Sequence, residues 1–219
     1  MTTVAPTMRP ADAPVTAWDA IVIGAGPAGA FTALRLARAG ARTLLVDRKP
    51  FPRAKVCGGC LNARAVAILE GAGLDDEMRA AGARPVSAIQ LRTNNRQARL
   101  PLPLGLAITR ATLDAIIVRA AIAAGAEFVC ASGAVERDEG QGTGVRRVRL
   151  THPDGQPVTA SAKIVITADG LGNGALRDAE AFESKVDSAA RIGVGVVAEP
   201  GAVPATAGVI TMIVAPGGY

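Results

Sequence analysis

Short apolar runs and glycine-rich turns follow each other at the start of the chain. Residues 20–23 and 43–46 form runs without charge, which is the pattern of strands buried on both faces of a parallel sheet. Between them, residues 27–38 predict a helix, because Pro27 suits a first helical turn and Gly40 suits a helix end. This order of strand, turn, helix and strand predicts an α/β domain with a parallel sheet.

Further elements downstream fit the same sheet. Residues 63–69 predict a second helix, and residues 112–124 predict an amphipathic helix that stops at Gly125. Residues 127–130 and 163–167 predict two more strands of the buried type. The alternation of helices and strands therefore extends the predicted parallel sheet.

Other extended segments do not fit a parallel sheet by their pattern. Residues 84–109 contain two or three extended pieces that predict an antiparallel insertion. Residues 145–150 and 158–160 flank a hairpin turn, and residues 191–198 and 209–214 predict strands of a further sheet. A second, mostly antiparallel layer is therefore expected.

These elements divide the chain into three parts. Residues 1–17 are rich in Ala, Pro and Thr and predict a flexible leader, without the apolar core of a signal peptide. Residues 18–185 hold the α/β domain with its insertion at about 84–109, and residues 186–219 begin an incomplete second sheet. No run approaches the length of a membrane span, so a cytoplasmic protein is expected.

Composition removes several classes of function. Of the 219 residues, 49% are apolar, which is enough for a sizeable core. Lys and Arg number 24 against 19 Asp and Glu, for a net charge of +5, but Arg is scattered and aromatic residues are only 3%. This pattern argues against nucleic-acid binding. Three cysteines are too few for a secreted disulfide framework. Because a zinc site needs about four ligands and the chain has only one histidine besides these cysteines, a zinc site is not expected.

The first turn carries a G-x-G-x-x-G sequence in the context that a dinucleotide site requires. It follows an apolar strand and opens a helix, and Asp47 ends the next strand. Gly24 permits a tight turn, Gly26 lets the backbone approach a pyrophosphate, and Gly29 lets the helix pack closely. The helix N-terminus offers N–H groups to phosphates, and Asp47 can accept both hydrogen bonds from an adenosine ribose. The motif itself leaves NAD and FAD open.

Three further segments resemble the flavoprotein family of aromatic-ring hydroxylases, geranylgeranyl reductases and flavin-dependent halogenases. They are F-P-R-A-K-V-C-G-G at 51–59, T-R at 109–110 before a helix, and A-D-G at 168–170 after an apolar strand. Their order and spacing relative to the glycine turn carry the resemblance, which runs from about Asp19 to the end of the chain. The only tryptophan, Trp18, precedes the first strand, which disfavours a halogenase.

The resemblance implies FAD as the cofactor and NAD(P)H as a transient electron donor, since no second dinucleotide fingerprint is present. It also implies that the 51–59 loop lies beside the flavin, that Asp169 and Arg110 lie near FAD, and that main-chain groups near Val135 meet the adenine. No catalytic residue is assigned, because the flavin performs the hard step. The candidate cofactor-binding residues are Gly24, Gly26, Pro27, Ala28, Gly29, Asp47, Arg48, Lys55, Cys57, Gly58, Gly59, Arg110, Val135, Asp169 and Gly170.

The predicted fold is a Rossmann-like FAD-binding domain with a parallel sheet plus part of an antiparallel substrate-binding sheet. The predicted function is an FAD-dependent monooxygenase or hydroxylase that acts on a small organic substrate. One alternative is a geranylgeranyl-reductase-like enzyme that saturates isoprenoid double bonds. Peripheral contact with a membrane is compatible with this alternative. Another is a non-catalytic FAD-binding fragment. The oligomeric state and the substrate stay open.

Two features set this chain apart within the resemblance. The family carries a later Gly-Asp motif, which is missing here, so a chain truncated at its C-terminus is expected. The Cys57-Gly58-Gly59-Cys60 segment has the C-x-x-C spacing of redox or metal sites. A close-packed loop that lets the backbone approach the flavin ring is the preferred interpretation, and redox-active thiols are the alternative.

Overall fold

The computed structural model describes residues 3–136, 144–153, 155–172, 174–176, 182, 185–190, 193–196, 198–199, 201–202 and 205–215. The chain forms two compact units. Unit 1 comprises Met1–Arg53 and Leu113–Arg191, and unit 2 comprises Ala54–Thr112 and Ile192–Tyr219. No helix among the described residues is long and apolar enough to cross a membrane.

The described strands, in chain order, are β1 (Trp18–Ile23), β2 (Thr43–Asp47), β3 (Cys60–Leu61), β4 (Arg84–Arg92), β5 (Gln97–Ala107), β6 (Glu127–Cys130), β7 (Ser132–Val135), β8 (Arg146–Thr151), β9 (Val158–Thr167) and β10 (Val209–Ile213). The α-helices are α1 (Pro27–Arg38), α2 (Ala63–Glu70), α3 (Asp75–Ala80) and α4 (Arg110–Ala123). Two 3₁₀ helices span Pro10–Val15 and Gly174–Leu176.

Unit 1 is built on a six-stranded sheet with the order β6-β2-β1-β9-β8-β7. β6, β2, β1 and β9 are parallel, and Ile21 of β1 lies opposite Leu44 of β2 on one side and Val165 of β9 on the other. β8 is antiparallel to β9, and β7 is antiparallel to β8. Residues 43–47 are buried throughout, as expected for a strand covered on both faces. The predicted Rossmann-like α/β sheet is confirmed. The predicted pieces at 158–160 and 163–167 are one strand, β9, and β7 was not predicted.

Helix α4 corrects one expectation. The sequence predicted an amphipathic helix, but residues 112–118 are buried one after another, so it has no polar stripe along this length. Even Asp114 is fully buried. Leu, Ile, Val and Ala fill nearly all other positions here, and a helix that is apolar all round belongs in a protein interior.

The first seventeen residues also differ from the predicted flexible leader. The N–H of Thr7 donates to the carbonyl of Phe128 at 2.9 Å, and the N–H of Val4 donates to the carbonyl of Phe51 at 3.0 Å. The indole Nε1 of Trp18 donates to the carbonyl of Ala13 at 3.0 Å, and Ala13 is fully buried. The physical reason is that β6 ends the sheet order, and an edge strand leaves main-chain groups for an added segment to pair with.

Unit 2 is built on a four-stranded sheet with the order β10-β4-β5-β3. β4 and β5 form an antiparallel hairpin with a register shift between Val86 and Ala88, and β3 is antiparallel to β5. β10 is parallel to β4, so the sheet is mixed. The two or three extended pieces predicted within 84–109 correspond to the two strands β4 and β5. The antiparallel part of the predicted fold is confirmed.

The boundaries in the chain differ from the predicted domains. The insertion predicted at 84–109 belongs to a longer segment, Ala54–Thr112, which shares a unit with the segment from Ile192 onward. A strand was predicted at 191–198, but residues 193–196 are exposed and have no strand structure, while residues 191, 192 and 197 lie outside the described part. Two glycines in this run weaken a strand, and an apolar run becomes a strand only where a neighbour pairs with it.

Candidate functional site

The glycine turn begins where β1 ends. Gly24 has φ +99, and its N–H donates to the carbonyl of Val46 at 2.7 Å. A Cβ at this position would lie 2.5 Å from the carbonyl carbon of Ala168 and 2.6 Å from the Cα of Asp169. Only glycine is compatible with both the left-handed backbone and this close approach. The turn therefore brings β1, β2 and the segment after β9 together.

The first turn of α1 follows immediately. Gly26 is the N-cap residue, with extended backbone and no side-chain hydrogen bond, and Pro27 is the first helical residue. The first N–H groups of a helix have no intrahelical acceptor, and the helix dipole adds a partial positive charge. Ala28 is exposed beside them. This end of α1 therefore presents donors that suit an anion such as a pyrophosphate.

Gly29 makes the same turn compact. A Cβ on Gly29 would overlap the carbonyl oxygen of Gly24, and it would stand 3.1 Å from the Cβ of Ala168. The sequence predicted that this glycine lets the helix pack closely. The structure places the close approach at the glycine turn itself and at the residue after β9.

Asp47 ends β2 next to this turn, and its side chain is 6% exposed. Its Oδ2 accepts the N–H of Ala25 at 2.8 Å and the Nη2 of Arg53 at 2.6 Å, while Oδ1 accepts the N–H of Lys49 at 3.1 Å. A carboxylate has roughly four acceptor positions, so roughly one is left for a ligand. The predicted pair of ribose hydrogen bonds therefore does not fit this arrangement, because Arg53 already takes one acceptor position. Arg48, the next residue along the chain, is exposed.

Sequence reasoning did not single out Arg53 as a site residue. It lies six positions after Asp47 in a loop, and no periodicity marks it. The signal that could have found it is the motif at 51–59 itself, which contains a basic residue close in sequence to a strand-ending acid. A buried acid calls for a compensating charge.

Asp169 and Gly170 lie beside the glycine turn, as shown by the closeness of Asp169 to Gly24. The Oδ2 of Asp169 accepts the N–H of Ala175 at 2.9 Å, which holds the short helix Gly174–Leu176. Gly170 has φ +86 and open space around it. The Asp-Gly segment therefore lies directly beside the glycine turn.

Val135 lies in β7, which is the last strand in the order of the six-stranded sheet. It pairs with Val148 of β8 on one side. The other row of main-chain groups of β7 has no strand partner among the described residues. Main-chain groups at a sheet edge can form hydrogen bonds with an adenine. That the main chain near Val135 contacts the adenine stays a prediction.

The other candidate residues belong to unit 2. Lys55, Cys57 and Gly58 are exposed, and Gly58 has open space where a Cβ would stand. Gly59 has φ +67, and its carbonyl accepts the N–H of Ile108 at 2.8 Å. Arg110 begins α4 and is half-buried. These residues are exposed or half-buried, as a ligand-contacting loop requires.

The cysteines are all free thiols. Burial, followed by the neighbouring Cys57, raises the pKa of Cys60 above its usual value, and the Cys60 thiol lies 3.3 Å from the carbonyl oxygen of Gly58. Burial, followed by the charge of Asp47, raises the pKa of Cys130. Both thiols therefore stay protonated at neutral pH, which disfavours them as nucleophiles.

The residues of unit 1 fit the pyrophosphate and ribose of FAD. The glycine turn leaves room where a Cβ would collide with the backbone, the N-terminus of α1 offers N–H donors, and Asp47 offers an acceptor. These elements follow β1 and β2 at the carboxyl ends of parallel strands, where ligands bind in open α/β sheets. A site of this kind defines a dinucleotide-binding protein.

The family follows from the sequence match. A family model described as an FAD binding domain matches residues 17–217, which is most of the chain. The protein therefore belongs to this family of FAD-dependent oxidoreductases, and the predicted resemblance is confirmed.

Curated relatives agree with this assignment. The chain is 31% identical over 159 residues to a geranylgeranyl diphosphate reductase of Rhodobacter capsulatus, covering 71% of this chain and 38% of the relative. It is 36% identical over 157 residues to a menaquinone reductase of Mycobacterium tuberculosis, covering 69% of this chain and 37% of the relative. The chain thus spans less than two fifths of the length of these relatives.

Solved structures share the fold. The flavin-dependent brominase Bmp2 matches with a TM-score of 0.62 and 23% identity, over 71% of this chain and 38% of that one. The p-nitrophenol 4-monooxygenase PnpA of Pseudomonas putida matches with a TM-score of 0.60 and 22% identity, over 74% of this chain and 43% of that one. At this identity the likeness concerns the fold alone.

Proposed function

We propose that this chain is the FAD-holding part of a flavin-dependent reductase that saturates a double bond of an isoprenoid substrate. The observation that carries the proposal is the agreement in sequence with proteins named geranylgeranyl diphosphate reductase and menaquinone reductase, each above 30% identity. The Cys57-Gly58-Gly59 loop supports it, because this segment favours the reductase branch of the resemblance. The sequence alone favoured a monooxygenase or hydroxylase over a reductase, and the relatives reverse this preference.

The second candidate is a monooxygenase or hydroxylase of a small organic substrate. The order and spacing of the motifs at 51–59, 109–110 and 168–170, which resemble those of the hydroxylases, favour it. In both cases NAD(P)H is the proposed electron donor. An isoprenoid substrate partitions into membranes, so the reductase proposal includes transient contact with a membrane surface.

The work of the described residues is binding and orientation. When bound, FAD supplies the hydride chemistry. The N-terminus of α1 would hold the pyrophosphate, and Gly26 would let the backbone come close to it. Asp47 would accept a hydrogen bond from the adenosine ribose, and the edge of β7 would contact the adenine.

An anaerobic reoxidation experiment separates the two candidates. The purified chain is loaded with FAD, reduced chemically without oxygen, and mixed with geranylgeranyl diphosphate. A reductase reoxidises its flavin at the expense of the substrate, and the product gains hydrogen without oxygen. A monooxygenase leaves the flavin reduced until oxygen is admitted. Reoxidation that requires oxygen, with an oxygenated product, would overturn the proposal in favour of the second candidate.

A further inference from the structure

Asp47 is the centre of a small network rather than an isolated ribose acceptor. Its Oδ2 ties it to Ala25 in the glycine turn, and its Oδ1 ties it to the main chain of Lys49. The carboxylate therefore connects the turn that receives the phosphates with the loop that follows β2. A fixed carboxylate of this kind is preorganised for a ligand, because it loses little freedom on binding.

Arg53 supplies the third bond, and its own position is fixed from two sides. Its Nη2 lies 2.6 Å from Oδ2 of Asp47, and its side chain is only 12% exposed. Its guanidinium carbon lies 4.8 Å from the centroid of the Phe51 ring. Phe51 is itself 1% exposed and packs edge-on against Phe128, with ring centroids 5.9 Å apart. The guanidinium is therefore held between an aromatic face and the carboxylate.

This arrangement is costly if its only role is stability. Burying an ion pair requires removing two charges from water, and apolar residues of similar size often serve as well. The Nε of Arg53 is also buried and has no hydrogen-bond partner among the described residues. A buried donor without a partner in a native protein calls for an explanation.

We propose that Arg53 is a positioning residue for cofactor binding. By occupying Oδ2 together with Ala25, it fixes the carboxylate of Asp47 and leaves Oδ1 as the acceptor for one hydroxyl of the adenosine ribose. The proposal rests on the proposed function in one respect, which is that the site binds FAD. It applies equally to a reductase and to a monooxygenase.

The test compares ADP with 2′,3′-dideoxy-ADP, which lacks both ribose hydroxyls, by calorimetric titration of the whole chain. We expect the wild type to prefer ADP by about tenfold, the effect of one hydrogen bond to a charged group. Arg53→Gln should lose most of this preference and weaken FAD binding by a similar factor. Arg79→Gln, which removes the arginine of an exposed ion pair with Glu70, is the matched control and should keep the preference.

A double-mutant cycle shows whether Arg53 acts through Asp47. Asp47→Asn should abolish the preference for ADP, and adding Arg53→Gln should lower FAD affinity no further. Arg53→Lys retains the buried charge and therefore the fold, and its preference should fall below that of the wild type.

The measurements distinguish a positioning role of Arg53 from a purely structural role. A purely structural Arg53 lowers the melting temperature but leaves the ADP preference of the folded variants unchanged, which would overturn this proposal alone. Additive losses in the double mutant would also overturn it. If the wild type binds neither FAD nor ADP, the proposed function fails as well, so the two failures are distinguishable.

Discussion

The two sheets of this protein differ in how completely their apolar residues are buried. In unit 1, β1 and β2 are apolar runs buried on both faces, and they end at the glycine turn and at Asp47. In unit 2, most of β5 is exposed, including two of its leucines, Leu100 at 47% and Leu104 at 58%. Close backbone contacts surround the glycine turn at the carboxyl end of the first sheet, whereas the second sheet leaves apolar side chains exposed.

The difference teaches where recognition of a dinucleotide can be built. The close backbone approach at Gly24 and Gly29 occurs where buried strands end, and strands packed on both faces hold the main chain in a fixed position.

Removing one aromatic ring from the core of unit 1 should have the largest effect. Phe128 is fully buried in β6, so Phe128→Ala should lower the free energy of unfolding by about 3–5 kcal/mol. Leu104→Ala in β5 should change it by no more than about 0.5 kcal/mol, because this side chain is mostly exposed. Urea unfolding of both variants measures the contrast. Equal losses would show that the two sheets do not differ in this way.

The glycine turn should respond next. Gly29→Ala places a methyl group against the carbonyl of Gly24, which should cost about 1–3 kcal/mol of unfolding free energy and weaken FAD binding. Gly155→Ala is the control, because a Cβ there has no neighbour within 4 Å. Thermal unfolding and FAD titration of both variants test this. A Gly29→Ala variant with wild-type stability and affinity would contradict the described geometry.

Much of unit 1 could be predicted from the sequence because its signals are local. The run 20–23 and the glycine motif are adjacent in the chain, and Asp47 ends the next strand of the same strand–helix–strand unit, so pattern and structure agree. Arg53, β7 and the contacts of residues 3–14 depend on partners distant in sequence or on loop conformation, which no periodicity reveals. The run at 193–196 shows the reverse case, in which an apolar pattern predicts a strand that the fold does not form.

A surface ion pair between β1 and β9 should have the smallest effect. The hydrogen bond from Lys163, followed by the main-chain bond from Arg42, holds the pKa of Asp19 below its usual value. A lowered pKa in the folded chain means that the pair stabilises the fold above pH 4 or so and that this stabilisation is lost at lower pH. The difference in unfolding free energy between wild type and Asp19→Asn should therefore shrink between about pH 5 and pH 2. A difference that stays constant over this range would show that Asp19 contributes no charge interaction.

The most direct test of the central claim is a calorimetric titration of the purified chain with FAD and, separately, with FMN. If the adenosine and pyrophosphate of FAD bind at the end of α1 and at Asp47, FAD should bind one to one. FMN, which lacks the adenosine half, should bind at least about tenfold more weakly, and Asp47→Asn should remove most of this difference. Equal affinity for FAD and FMN, or FAD binding that Asp47→Asn leaves unchanged, would contradict the assignment of this site.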